Sequence, residues 1–294
     1  MAKIRKYLSE DGTIRISTVI STDLANEAFR YLEASPLAKV LTARALTAAV
    51  LMASQLKDKL SLSLNFQGDG PVKVIFAAAS YEGSARAYCE NRGAVLPEGV
   101  TQIGAGLGQG FLEVANQQPH DRQPQIGNVE ILSGEIGDDV AYYLGQSQQI
   151  PSIVALAAIP LDDGIEVAGG YVLELMPGYT DDTVRKLESL QQMTGTLSDR
   201  IRQGATAEEL IDVYLLNFKF QEIDHPFELH YRCGCNIDRV ERSILLLGPE
   251  TLDDMITSGE DSEVRCEFCG KLYSVGTEDL TRLRQTLPHT PGNE

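Results

Sequence analysis

Positive charge is scarce in this chain. Lys and Arg together number 25 against 42 Asp and Glu in 294 residues, a formal net charge of −17. Nucleic acid and anionic membranes select basic patches, so the balance argues against either as the main partner. Long apolar runs are missing too. The longest, 45–53 and 150–161, are broken by Thr47 and by Pro151 and Ser152, and both fall short of the roughly 20 residues a spanning helix needs. The segment Met1-Ala-Lys-Ile-Arg-Lys-Tyr7 turns polar at Ser9-Glu-Asp-Gly12 with no apolar core behind it. No secretory signal is read, and a soluble, cytoplasmic protein is expected. Internal repeats, low-complexity tracts and a Walker A pattern are absent, so ATP is not implied.

What is present suffices for a core: 43% of residues are apolar and 23% charged in 32.1 kDa, enough for one large domain or two smaller ones. Residues 4–8 and 13–21 read as a hairpin around Asp11-Gly12. Asp23 is expected to cap a short helix, and Pro36 to open a longer one through Leu56, apolar over much of its circumference and therefore packed inside. From Leu60 the period changes to two, predicting strands at 60–65, 72–79, 84–91, 111–116 and 129–133. A helix over 138–148 and strands near 152–159 and 165–175 follow. The fold class is α+β: a mixed α/β amino-terminal domain over 1–178, a helical linker over 179–226, and a small carboxyl-terminal domain over 227–294. In the linker, 183–193, 197–202 and 206–216 read as short polar helices, the last opened by the capping box Thr206-Ala-Glu-Glu209. Their thin apolar stripes (Leu187, Leu190, Met193, Ile201, Leu210, Ile211, Leu215) require docking on something larger. Two more short helices are expected over 237–247 and 249–257.

Cysteine is infrequent but concentrated. Cys89 stands alone in a predicted strand, where a half-buried structural thiol is expected, while Cys233, Cys235, Cys266 and Cys269 crowd one window. Two tight pairs suggest a metal, a redox pair or both, with unligated buried cysteines the plain alternative; as ligands they supply the four soft donors of tetrahedral zinc, and such a closed four-sulfur shell is structural rather than hydrolytic. In a small domain such an ion contributes on the order of 10 kcal/mol to folding. The Cys233-Gly-Cys235 half is unusually tight. Sulfurs sharing a zinc lie roughly 3.8 Å apart, whereas a disulfide needs about 2.05 Å, so metal binding and oxidation exclude each other. The same sulfurs form either a metal clasp or two local disulfides, Cys233–Cys235 and Cys266–Cys269.

Cys-x-Cys, thirty residues, then Cys-x-x-Cys at the carboxyl end of an acidic chain of this length resembles the redox-regulated 33-kDa heat-shock chaperones, also called 33-kDa chaperonins. Tyr142-Tyr-Leu-Gly-Gln-Ser-Gln-Gln-Ile-Pro-Ser152 and Gly169-Gly-Tyr-Val-Leu-Glu-Leu-Met-Pro177 are similar to segments of that family's first domain. Arg239-Val-Glu-Arg-Ser243 and Leu252-Asp-Asp-Met255 are similar to its zinc-domain helices. The resemblance covers essentially the whole chain. It implies an ATP-independent holdase for unfolded client proteins, not an enzyme, active under oxidative and heat stress. It further implies that the protein is inactive when reduced with one zinc bound, active after disulfide formation and zinc release, and a homodimer on activation.

Two other functions compete. A thiol-disulfide oxidoreductase using Cys266-Glu-Phe-Cys269 would place the pair at a helix N-terminus, where the dipole lowers the thiol pKa; the following Gly270–Val275 reads as strand, and Glu267 opposes thiolate formation. A zinc ribbon for nucleic acid is opposed by 7 Arg/Lys against 12 Asp/Glu in residues 232–294. Gly104-Ala-Gly-Leu-Gly-Gln-Gly110 does not fit a dinucleotide fingerprint in any register, and a flexible glycine hairpin is expected there. His225 and His230 precede the cysteines but are surplus to a complete sulfur shell, and Arg232, Arg265 and Lys271 abut it as cations that offset its charge.

Overall fold

A computed structural model describes residues 2–56, 60–118, 123–193, 195–224 and 227–287. The chain divides into two compact units, 1–232 and 233–294. It mixes helices with sheets that are antiparallel but for one strand pair, as an α+β chain should.

The first unit is built around one helix. Strands β1 (Arg5–Ser9) and β2 (Ile14–Ile20) form the hairpin, and α1 (Thr22–Phe29) follows. Asp23 lies in the first turn of α1 but is not its cap; that position is Ser21, whose hydroxyl instead pairs with Thr47 Oγ1 at 2.7 Å. Helix α2 (Pro36–Ala53) starts where Ser35 Oγ accepts the Ala38 N–H at 3.1 Å and Pro36 occupies the first turn. By length and composition α2 is apolar enough to cross a membrane, but 83% of it is buried inside the protein. The reason is architectural. It packs against strands of both sheets, so neither side faces water.

The second sheet takes β3 (Ser61–Gly68), β4 (Val74–Ser80), β5 (Ser84–Cys89), β6 (Gly110–Gln117) and β7 (Gln125–Glu130). Helix α3 (Gly137–Ser147) then leads to β8 (Ser152–Leu161) and β9 (Gly164–Leu175), which join the first sheet beside β2. Alternate residues of β3, Leu62, Leu64 and Phe66, are buried against α2, as their period of two requires. Residues 167–174 of β9 are instead almost continuously buried, because both faces of that strand are covered.

The glycine run is not a flexible hairpin. Residues 103–106 form a 3-10 turn locked to the β3–β4 turn: Val72 N donates to Gly106 O at 2.9 Å and Gly70 N to Leu107 O at 2.7 Å. A Cβ on Gly70 would meet Gly106 O at 2.6 Å, so glycine serves close backbone approach here.

After Met176 the chain forms α4 (Asp181–Met193), α5 (Leu197–Arg202) and two 3-10 turns, Glu209–Ile211 and Tyr214–Leu216, where one helix was expected. Strand β10 (Phe220–Ile223) pairs antiparallel with β1, and β11 (His230–Tyr231) parallel with β5. The sheet orders are therefore β10-β1-β2-β9-β8 and β11-β5-β4-β3-β6-β7. The second unit holds α6 (Ile237–Leu245), α7 (Pro249–Ser258), the hairpin β12 (Ser262–Arg265) with β13 (Leu272–Val275), and α8 (Thr277–Arg284). Its core is small: Val240, Ile244, Leu252, Tyr273, Val275, Leu280 and Leu283.

Candidate functional site

The sulfurs of Cys233, Cys235, Cys266 and Cys269 lie within 4.8 Å of one another, and all four side chains are half-buried thiols without a disulfide. Cys233 and Cys235 come from the loop before α6, whose entry is set by Asn236 Oδ1 accepting the Arg239 N–H at 2.9 Å. Cys266 and Cys269 come from the β12–β13 turn. There Cys266 N donates to Lys271 O at 2.9 Å, Gly270 N donates to Cys266 O at 2.8 Å, and Gly270 takes φ +70°. The left-handed glycine reverses the chain so that both sulfurs face the first pair. The closest approaches run between pairs, Cys233–Cys266 at 3.5 Å and Cys235–Cys269 at 3.4 Å. These are the separations of sulfurs sharing a metal, far beyond a bond of about 2.05 Å. The four donors thus fit a tetrahedral ion.

The thiols are not equivalent. Burial pushes the Cys233 thiol well up and the Cys269 thiol up. Burial also acts on Cys235, but hydrogen bonds from Tyr273 and the neighbouring sulfurs outweigh it and bring that thiol down to about 7. The Tyr273 hydroxyl donates to Cys235 Sγ at 3.1 Å, and the same bond pushes the phenol up to about 12. Lys271 Nζ sits 4.9 Å above the Tyr273 ring.

A second feature belongs to the first unit. The outer face of its first sheet presents Tyr7, Ile14, Ile16, Tyr171 and Leu173, and Leu187, Leu190, Ile211 and Tyr214 of the following segment close over them. Ile201 and Leu210 cover Ala157 and Val167 in the same way. Tyr214 is completely buried, with its hydroxyl donating to Tyr171 Oη at 3.0 Å and the two rings edge to face. Polar clasps surround this apolar seam: Thr18 Oγ1 donates to Ala207 O at 2.6 Å, and Arg5 pairs with Glu208 at 2.5 Å and Glu222 at 2.9 Å. Met193 and Leu215, expected in the docked stripe, are instead 66% and 49% exposed.

All four sequence-predicted cysteines converge on one point. Cys89 does not join them; it is fully buried in the first unit's core. His230 belongs to β11 and His225 lies outside the described residues. Lys271 meets the Tyr273 ring rather than a sulfur. Sequence reasoning missed Tyr273 and Tyr214. The alternation along β13, which buries Tyr273 and Val275, signals an inward ring but not which sulfur its hydroxyl reaches.

Comparison with known proteins gives a consistent result. The family model described as Hsp33 protein matches residues 3–276. The 33 kDa chaperonin of Limosilactobacillus fermentum is 33% identical over 287 residues, covering 96% of this chain and 98% of the relative. The 33 kDa chaperonin of Bacillus subtilis is 34% identical, covering 95% of this chain and 97% of the relative. The crystal structure of the Thermotoga maritima 33 kDa chaperonin superposes with a TM-score of 0.85 at 27% identity, covering 96% of this chain and 98% of that one. Together with a four-cysteine cluster able to hold a metal, these matches show that the chain belongs to the Hsp33 family of 33 kDa chaperonins.

Proposed function

We propose that this chain is a redox-switched, ATP-independent holdase of the cytoplasm, where thiols are kept reduced until stress. In this reading residues 1–178 bind clients and dimerise on activation, 179–226 act as a releasable linker, and 227–294 are the switch. The observation that carries it is the convergence of four reduced sulfurs, in a unit whose own apolar core is small, in a chain that also keeps an apolar sheet face under a thin, clasped segment.

The four thiolates fit zinc, which when bound supplies cross-linking of the loop before α6 to the β12–β13 turn. Each cysteine pair gives two electrons to a peroxide. One sulfur takes an oxygen as sulfenic acid with loss of water, and its neighbour displaces a second water to close the S–S bond. Cys233–Cys235 and Cys266–Cys269 are the proposed pairs, because sequence neighbours close the shortest loops once the clasp opens. With its donors consumed, the second unit loses its main stabilisation. Release of 179–226 then uncovers Tyr7, Ile14, Ile16, Tyr171 and Leu173 as an adaptable surface for unfolding proteins.

A thiol-disulfide oxidoreductase is less well supported: the Cys266–Cys269 pair occupies a hairpin turn, not a helix N-terminus, and burial pushes the Cys269 thiol up. Light scattering of an aggregating client, without ATP, tests the holdase. Peroxide-treated protein is expected to suppress aggregation while reduced, zinc-loaded protein does not. Equal behaviour of the two forms overturns the switch. Peptide mapping that finds chiefly cross-pairs overturns the pairing.

A further inference from the structure

Among the described residues, Cys235 is the only one of the four sulfurs to receive a hydroxyl hydrogen bond, from Tyr273 at 3.1 Å. The donor is held firmly. Tyr273 is buried to 8% exposure within the second unit's core, pairs with Val264 across the β12–β13 hairpin, and carries Lys271 Nζ over its ring. The hydroxyl therefore has little freedom to swing away from the sulfur.

A thiolate reacts through its lone pairs, whether the electrophile is a peroxide oxygen or an alkylating carbon. A hydrogen bond to that sulfur stabilises those lone pairs and weakens as they are drawn into a new bond, so it slows attack. We infer that Tyr273 is a positioning residue that acts as a brake on Cys235: with a metal holding that sulfur as a thiolate, the Tyr273 O–H keeps it in the cluster and lowers its nucleophilicity. The brake is built into β13, so loosening of the hairpin and exposure of Cys235 to oxidant become one event. The inference rests on the four-sulfur metal clasp proposed above.

The test uses full-length protein loaded with cobalt(II) or zinc, comparing wild type with Tyr273→Phe, which keeps the ring, its burial and the Lys271 contact. Alkylation by iodoacetamide, in which the sulfur displaces iodide, is followed cysteine by cysteine by mass spectrometry. Loss of the charge-assisted bond is expected to raise the rate at Cys235 by roughly tenfold while the other three change less than about twofold. The sulfur-to-cobalt charge-transfer band should move to longer wavelength, a shift that packing alone does not produce. A variant with 3-fluorotyrosine at 273, a stronger donor of nearly the same shape, should slow Cys235 and shift the band the other way. Unchanged Cys235 reactivity and band position in metal-loaded variants overturn the brake. Failure of wild-type protein to bind one metal per chain instead overturns the clasp itself.

Discussion

At the scale of single residues, the side chains that carry the most structure are polar and buried. The Asp139 carboxylate is completely buried and accepts N–H groups from Leu132 at 2.8 Å, Ser133 at 3.0 Å, Gly134 at 3.4 Å and Ile136 at 3.1 Å. Those bonds hold Ile136 at φ +70°, a left-handed conformation that a β-branched residue adopts only under constraint. Asp139→Asn turns one acceptor edge into a donor facing N–H groups and is expected to cost about 2–4 kcal/mol of first-unit stability, measurable by urea denaturation. A loss below about 0.5 kcal/mol would show that the loop is held by its other contacts. The convergence of Cys233, Cys235, Cys266 and Cys269 was legible in the sequence because tight pairs of soft donors point to one shared site. Tyr273 and Asp139 were not, since the value of each depends on where a turn delivers its partner.

The segment after Met176 shows how tertiary contacts override local signals within an element. The Thr206–Glu209 capping box does form, with Thr206 N donating to Glu209 Oε2 at 2.7 Å and Glu209 N to Thr206 Oγ1 at 3.4 Å. No α-helix follows; the backbone closes the tighter i→i+3 bonds instead, Ile211 N to Glu208 O at 3.4 Å and Asp212 N to Glu209 O at 3.2 Å, while side chains from outside the turn reach the same stretch of carbonyls. Thr18 binds Ala207 O, and Arg200 binds Glu209 O at 2.5 Å and Leu210 O at 3.4 Å. The result is a pair of 3-10 turns fitted to the sheet. Leu190→Ser, placing a hydroxyl in the apolar seam, should raise amide exchange through 181–216 while β3 and β4 stay protected. If 181–216 exchanges as in wild type, docking does not depend on that stripe. Alkali gives an independent handle. Burial pushes the phenols of Tyr214 and Tyr171 above the ordinary value of 10.0, and that of Tyr7 up to about 12. A raised folded-state pKa contributes stability that is whole below pH 10 and is lost as pH rises above it. The segment is therefore expected to undock above about pH 10, with phenolate absorbance and amide exchange rising together. Phenolate formation without undocking would place the titrating tyrosines elsewhere.

For the whole molecule, the two units draw stability from different sources. The first has an extensive core around α2; the second has a small cluster and a set of converging sulfurs. Stripping metal from reduced protein with a strong chelator should unfold residues 233–294 while the first unit melts as before, because structural zinc sites supply on the order of 10 kcal/mol to domains of this kind. Calorimetry and circular dichroism read this directly: one transition should vanish and one persist. Persistence of both would mean that the second core suffices by itself.

The sequence alone determined the features written at short range: the strand periods from 60 to 91, the all-round apolar helix opening at Pro36, which the structure ends at Ala53 rather than Leu56, and the paired soft donors at 233–269. Each is set by chemistry within a few residues. Only tertiary structure decided the rest. Strands β10 and β11 exist because β1 and β5 offer open edges more than a hundred residues away in sequence. The glycine run became a packed turn because a second turn closes on it. Tyr273 faces Cys235 because the register of a hairpin and the entry of α6 meet at one point. Such pairings are settled by which backbone groups and buried surfaces are left over once the local elements have formed, and no local pattern records that.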